Sequence, residues 1–234
     1  MSNNKIKRYF THLHRNPFIT HILLFVMIIM YLVMSLNGGS QNPVTLIVFG
    51  AKVNEMIVMW DWWRLITPAF LHIGLPHLIF NGLVIYYLGS QLELLIGHFR
   101  YFLLFIFSAL MGNTASFAFN QSISAGASTA IFGFFASTIV LAKLYPNQLG
   151  IKELSRNYSL LILINIVWGL MSRTVDNAGH IGGLLGGYLI MYAVSSPNAW
   201  NNSKKQRILY AFLYIVVLGV LLFIGFRRTT ALFY

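Results

Sequence analysis

The chain has 234 residues, of which 57% are hydrophobic and 9% are charged, and its mean hydropathy is +0.70. A soluble domain carries roughly 25% charged residues, so these charges are too few to cover a water-soluble globule. The net charge of +11 does not indicate nucleic acid, because the basic residues cluster in alternate loops, which is typical of membrane insertion. The composition therefore predicts an all-α polytopic membrane protein whose surroundings are the lipid bilayer.

The first predicted element is a short cytoplasmic segment, 1–17, followed by an apolar run over 18–36. The run is long enough to cross a bilayer and does not end in the small residues of a signal-peptidase site, so we expect a retained first span. The long outer loop that follows, about 37–75, contains Trp60, Trp62 and Trp63. Tryptophan favours the headgroup zone, so part of this loop is expected to lie in the membrane interface.

Six further spans are predicted along the chain, at about 76–96, 101–120, 128–143, 159–172, 178–195 and 207–226. A helix over 128–143 rises roughly 24 Å, which is less than the hydrocarbon core of ~30 Å. Such a helix can begin below the membrane surface if its preceding loop is shielded or lines a wet cavity. The uncharged polar loop 120–127 suits this arrangement.

The distribution of basic residues predicts the orientation. With the N-terminus in the cytoplasm, eleven Lys and Arg fall in inner segments and five in outer segments, which accounts for all 16. We therefore expect a multi-pass protein of the cell membrane with its C-terminus on the extracytoplasmic side, although Arg227 and Arg228 count against this orientation. The predicted starts of the fourth and sixth spans then lie at the same, outer depth.

Ser128 stands at the start of the fourth span, after the small residues Ala125, Gly126 and Ala127. Free backbone N–H groups at a helix N-terminus can stabilise an oxyanion, so this is a good position for a nucleophile that attacks a carbonyl. The alternative is a serine that only caps the helix, which its position alone favours.

His180 lies near the start of the sixth span, in a run rich in glycine. Gly183 and Gly187 are four residues apart and share a helical face that permits close helix approach, and His180 shares that face. We expect His180 to point at a partner helix, either as a catalytic base or as a packed interhelical histidine.

His77 and Asn81 are four residues apart on one face of the second span. They are either side-chain donors for an oxyanion or a polar clamp between helices. His72 is expected in the loop at the membrane interface, and we assign it no role.

A zinc site made of His72, His77 and His180 is the competing prediction for these histidines. The chain has no His-Glu-x-x-His run, and Glu93 is the only acidic residue within a predicted span. We therefore expect neither a metal nor a cofactor.

Four segments resemble motifs of the rhomboid intramembrane serine proteases. They are Trp63-Arg64, His77-x-x-x-Asn81, Gly126-Ala-Ser128 and His180-x-x-Gly183-x-x-x-Gly187. The resemblance implies a six-helix catalytic core over 18–195. Residues 196–234 would then form a loop, a seventh transmembrane helix and a short tail.

The resemblance also implies a mechanism and its residues. Ser128 is the expected nucleophile and His180 its base, while His77, Asn81 and the Ser128 N–H would hold the oxyanion. Asp176 is expected too near the surface to complete a triad, which leaves a dyad. The substrates would be transmembrane segments of other proteins, admitted between the second and fifth spans.

Three residues are assigned to substrate binding, namely Gly126, Thr129 and Phe132. Phe132 stands where the family places an aromatic ring against the histidine. Thr129 stands where the family usually has glycine, and its side chain is expected to narrow the site, alter substrate choice or reduce activity.

Two other functions stay open at this stage. The first is a non-proteolytic rhomboid-like protein that binds or escorts transmembrane clients, which Thr129 would favour. The second is a small transporter, which predicts internal symmetry or paired broken helices, and the sequence shows neither. The sequence does not predict an oligomeric state or a physiological substrate.

Overall fold

The computed structural model describes residues 16–172, 175–195 and 202–231. Most of the predicted N-terminal segment 1–17 lies outside the described residues, as do 196–201 and 232–234. The domain boundaries proposed from the sequence therefore stay predictions.

The described residues form α-helices joined by short connections, with two 3₁₀ turns, at Trp62–Leu65 and Thr67–Phe70, in the first long loop. The helices are α1 (Phe18–Leu36), α2 (Pro43–Val48), α3 (Asn54–Val58), α4 (Leu75–Ile96), α5 (His98–Phe119), α6 (Ser128–Leu144), α7 (Leu149–Met171), α8 (Asn177–Val194) and α9 (Lys204–Thr230). Helix α4 contains a π-helical stretch at Ile85–Gly89.

Seven of these helices correspond to the seven predicted spans, which confirms an all-α polytopic membrane fold. Among the described residues, α1, α4, α5 and α9 are long and apolar enough to cross a membrane, and α6 is apolar but shorter. The predicted fifth span, 159–172, was too short, because α7 already begins at Leu149. The charged residues Lys152 and Arg156 end the apolar run but are good helix formers.

Helices α5, α6 and α8 pack together at the centre of the bundle, and α9 packs on α5 and α8. Helix α7 packs mainly on α6, while α1 and α4 lie on the other side of the bundle. This arrangement brings the starts of α6 and α8 to the same end of the molecule.

Glycines on α8 allow its backbone to touch both neighbouring helices. A Cβ added at Gly187 would overlap the backbone of Gly133 on α6, and one added at Gly183 would overlap the backbone of Thr129. On the adjacent face, a Cβ at Gly182 would overlap Ala115 of α5. The predicted glycine face is therefore the surface that sets the distance between α6 and α8.

The long loop before α4 is held by buried polar side chains. Arg64, half of the Trp-Arg motif, donates to the carbonyls of Ile47 and Ala51 and to the carboxylate of Asp61. Trp60 and Trp62 remain 80% and 63% exposed. Their location in the headgroup zone stays a prediction.

Replacing Gly187 with alanine should separate α6 from α8. Because a Cβ at this position meets backbone rather than a flexible side chain, we expect a loss of about 1–3 kcal/mol in stability, measured by reversible denaturant unfolding in detergent micelles. The control is Gly219→Ala on α9, where a Cβ meets nothing within 4 Å and helix propensity favours alanine by about 1 kcal/mol. Equal effects of the two substitutions would contradict the glycine contact.

Candidate active site

Ser128 is the first residue of α6 and does not cap it. The N-cap position belongs to Ala127, and no side chain caps this helix. The Oγ of Ser128 instead lies 3.0 Å from Nε2 of His180. The helix-cap explanation for Ser128 is therefore wrong, and within the described part of the chain no side-chain cap bonds the start of α6.

His180 is the fourth residue of α8, and its ring is held from one side. Phe132, one turn after Ser128 on α6, stacks on it with a centroid distance of 4.1 Å and an interplanar angle of 14°. The other ring nitrogen, Nδ1, has no hydrogen-bond partner among the described residues. The imidazole is therefore oriented by stacking and by the serine.

Asp176 precedes α8 but does not contact Nδ1 of His180. Its carboxylate accepts hydrogen bonds from Ser116 on α5, from Ser124 in the loop before α6 and from the N–H of Gly179. It is half-buried, and its depth relative to the membrane surface stays a prediction. The described residues hold a serine–histidine pair without a hydrogen-bonded third acid.

His77 and Asn81 face the loop that leads into α6. A Cβ added at Gly126 would lie 2.5 Å from Cε1 of His77 and 3.6 Å from Nδ2 of Asn81. Asn81 is buried, and its Nδ2 has no hydrogen-bond partner among the described residues. An unpaired buried amide donor costs free energy, and here it lies near Gly126, two residues before Ser128.

Two constraints require glycine at position 126. Its φ of +140° is one that residues with a Cβ rarely adopt, and a side chain would strike the ring of His77. Its N–H donates to the carbonyl of Pro68 at 2.8 Å. The structure thus places Gly126 against the donors of α4, and its assignment to substrate binding stays a prediction.

Thr129 does not face the site, contrary to the expectation that it narrows it. Its Cβ and methyl group lie against Gly112 of α5 and Gly179 of α8, and the side chain is buried. The reason is helix geometry, since consecutive residues of α6 point about 100° apart, so Ser128 and Thr129 face different neighbours.

A cavity of about 550 Å³ adjoins Ser128 and His180. Its wall combines the polar loop before α6 with the starts of α4 and α8. The lining residues are Ile73, His77, Asn120, Ser122, Ile123, Ser124, Ala125, Ser128, Val175, Asp176 and His180. The sequence predicted such a cavity from the uncharged loop 120–127.

His72 is fully buried against the ring of His77, at a centroid distance of 5.3 Å. His72 lies in the loop before α4, as expected, and its position at the membrane interface stays a prediction. Burial lowers the pKa of His72 to about 3, so its ring is neutral at pH 7. Within the described ranges, no group of three or more His, Cys, Asp or Glu residues could hold a metal ion.

Lys52 and Asn54 were not singled out from the sequence, yet they anchor the loop that carries the cavity wall. Lys52 Nζ donates to the carbonyl of Asn120 at 2.7 Å and to the side chain of Asn54 at 3.0 Å. The backbone of Lys52 pairs with that of Ser124. Burial lowers the pKa of Lys52 to about 8, so the ammonium is mostly retained at pH 7. The sequence signal that could have pointed to this residue is a lysine in a loop predicted to lie partly in the membrane interface.

The fold and the site define a polytopic helical membrane protein with a serine–histidine pair near one end of its helices. A family model described as the Rhomboid domain matches residues 59–197. The chain therefore belongs to the rhomboid family, which confirms the resemblance noted in its motifs.

Known rhomboid proteases are similar to much of the chain. Rhomboid protease GluP of Bacillus subtilis (strain 168) is 38% identical over 209 residues, which is 89% of this chain and 41% of GluP. Rhomboid protease AarA of Providencia stuartii is 29% identical over 201 residues, 75% of this chain and 71% of AarA. Rhomboid-like protease 3 of Toxoplasma gondii is 32% identical over 170 residues, 70% of this chain and 64% of that protein. The chain thus spans about two fifths of the length of GluP.

Substitution of Thr129 should change stability rather than reactivity. Thr129→Val keeps the shape and removes a buried hydroxyl that has no partner among the described residues, so we expect stability to be unchanged or about 1 kcal/mol higher. Thr129→Gly should cost about 1–3 kcal/mol through the cavity it leaves and the poorer helix propensity. Reversible unfolding and the labelling rate of Ser128 with a fluorophosphonate are the measurements. A several-fold faster labelling in Thr129→Gly would mean that Thr129 suppresses the site after all.

Proposed function

We propose that this chain is an intramembrane serine endopeptidase that cleaves transmembrane segments of other proteins with Ser128 and His180. The observation that carries the proposal is the 3.0 Å contact between Ser128 Oγ and His180 Nε2 beside a cavity. Nucleophile and base within hydrogen-bond reach are the signature of an activated serine. The similarity to rhomboid proteases supports peptide bonds as the target.

The first chemical step is attack by Ser128 on the scissile carbonyl. His180 accepts the hydroxyl proton at Nε2, which histidine can do because its ordinary pKa of about 6.5 leaves it neutral near pH 7. Stacking by Phe132 keeps the ring in line with the serine. His180 then donates this proton to the leaving amine, and water hydrolyses the acyl-enzyme.

The developing oxyanion would be held by donors from two helices. The Ser128 N–H belongs to the uncapped start of α6, where the helix dipole also favours negative charge. Asn81 supplies the unpaired Nδ2 from α4, and His77 lies beside it against Gly126. Donors fixed before the reaction need no reorganisation when charge develops.

The packing supports a route for substrate and water. The cavity beside Ser128 supplies room for water, and the polar loop 120–127 forms its wall. Helix α7 packs mainly on α6, which supports lateral admission of a substrate helix between α4 and α7. We place the protein in the cell membrane with its N-terminus in the cytoplasm and the cavity on the outer side.

The non-proteolytic alternative depended on Thr129, which was expected to obstruct the site. Because Thr129 packs between α5 and α8, it leaves the serine and the histidine unobstructed. No described feature favours client binding without cleavage.

The labelling of Ser128 by a fluorophosphonate probe tests the dyad. We expect stoichiometric labelling of the wild type, none in Ser128→Ala, and at least a 100-fold slower rate in His180→Ala, because the hydroxyl loses its base. Ser137→Ala is the control, since Ser137 is buried on the same helix and bonds only its own helix carbonyl. Intact mass spectrometry and cleavage of a transmembrane substrate are the readouts. A wild-type protein that neither labels nor cleaves would falsify the proposal.

Substitution of Asn81 tests the oxyanion donors. Asn81→Ala should lower kcat about 100- to 1,000-fold with little change in KM, because the donor acts on charge that appears only in the transition state. The free energy of unfolding should stay unchanged in Asn81→Ala, since the amide Nδ2 bonds no other described group. The matched control is Asn165→Ala, where the amide bonds its own helix on the exposed side of α7. An unchanged kcat would remove Asn81 from the mechanism.

A further inference from the structure

One carboxylate joins the three segments that surround the Ser128–His180 pair. Asp176 Oδ2 accepts from Ser116 Oγ in the last turns of α5 and from Ser124 Oγ, at 2.8 Å, four residues before Ser128. Its Oδ1 accepts from the N–H of Gly179 at 3.0 Å, which caps the helix that carries His180. The partners are separated by 60 and 52 residues along the chain, so these bonds are tertiary and not local.

The segments that Asp176 joins are those whose relative position decides the distance between nucleophile and base. The loop 120–127 leads directly into Ser128, and the first turn of α8 carries His180. Ser116 lies on α5, which packs against both α6 and α8, and is fully buried. A shift of about 1 Å between reacting groups can lower a rate 100-fold.

The carboxylate is held in its ionised form. Burial alone would raise the pKa of Asp176, but hydrogen bonds from Ser116, from the Gly179 N–H and from Ser124 outweigh burial and hold that pKa below its usual value. Hydrogen bonds to an ionised acceptor are roughly twice as strong as those between neutral groups. The hydrogen bonds of Asp176 are therefore strong enough to fix the loop 120–127. This loop has no regular secondary structure beyond a single bridge, between Lys52 and Ser124.

We propose that Asp176 is a positioning residue that sets the geometry between Ser128 and His180 by binding Ser116, Ser124 and the start of α8 together. It acts through these partners and does not touch the reacting atoms, because no hydrogen bond joins it to the free Nδ1 of His180. The kinetic part of this inference depends on the proposed proteolytic function.

Two substitutions separate positioning from helix capping. Asp176→Ser keeps a good N-cap for α8 but is too short to reach Ser116 and Ser124, so kcat should fall about 10- to 100-fold while KM stays within about threefold. Ser124→Ala removes one bond to the carboxylate and should lower kcat about 3- to 10-fold, as expected for one net hydrogen bond. The controls are Asp61→Ser, whose carboxylate binds Arg64 elsewhere in the outer loop, and Ser137→Ala on α6.

A second readout does not need activity. Hydrogen–deuterium exchange of the full chain in nanodiscs should be faster over 120–127 in Asp176→Ser and in Ser124→Ala, and unchanged in both controls. Faster exchange with a lowered kcat supports the positioning role. If exchange or kcat in Asp176→Ser matches the wild type, the positioning role is overturned. A wild type without protease activity would defeat the proposed function alone, because the exchange experiment would still decide whether Asp176 holds the loop.

Discussion

Helices α6 and α8 approach each other through glycine, and the site exists only because they do. Gly187 faces Gly133 backbone to backbone, and Gly183 lies against the carbonyl of Thr129. Dispersion contacts between backbones replace the hydrophobic effect inside a bilayer, where lipid tails are as apolar as side chains. The short distance between the two helices lets a side chain as small as serine reach the ring of His180.

Polar groups near the site fall into two sets that differ in their partners. The carboxylate of Asp176, the ammonium of Lys52 and the guanidinium of Arg64 each have several hydrogen bonds. These groups hold loops in place, which satisfies the requirement that polar groups buried in a membrane protein be paired. Other groups lack partners among the described residues, namely Asn81 Nδ2, His180 Nδ1, both ring nitrogens of His72 and the hydroxyl of Thr129. The unpaired Asn81 donor, near Gly126, is available to a charge that forms during a reaction.

The seven long helices and the convergence of Ser128 with His180 could be predicted, since each depends on a local pattern. Apolar runs mark the spans, and the spacing of Gly183 and Gly187 marks the face on which His180 lies. The start of α7 could not be placed, because five of its first ten residues are polar or charged (Lys152, Glu153, Ser155, Arg156 and Asn157) and the stretch resembles a loop in a hydropathy profile. Likewise, charge near a span end does not tell whether a helix stops or continues into the headgroup zone.

Other features depend on tertiary contacts that no local pattern reports. The direction of Thr129 depends on the rotation of α6 against α5 and α8, so its identity next to Ser128 suggested an obstruction that the packing removes. The loop position of His72 does not indicate that the fold buries it against His77. The bonds of Asp176 join residues more than 50 positions apart, and only the assembled bundle brings them together.

The most direct test of a serine nucleophile with preset oxyanion donors is the experimental structure of the chain after reaction with a fluorophosphonate. We expect phosphorus bonded to Ser128 Oγ. The phosphonyl oxygen should lie within hydrogen-bond distance of Asn81 Nδ2 and the Ser128 N–H, and His180 should stay stacked on Phe132. An adduct on another residue, or a phosphonyl oxygen turned away from α4, would contradict this mechanism.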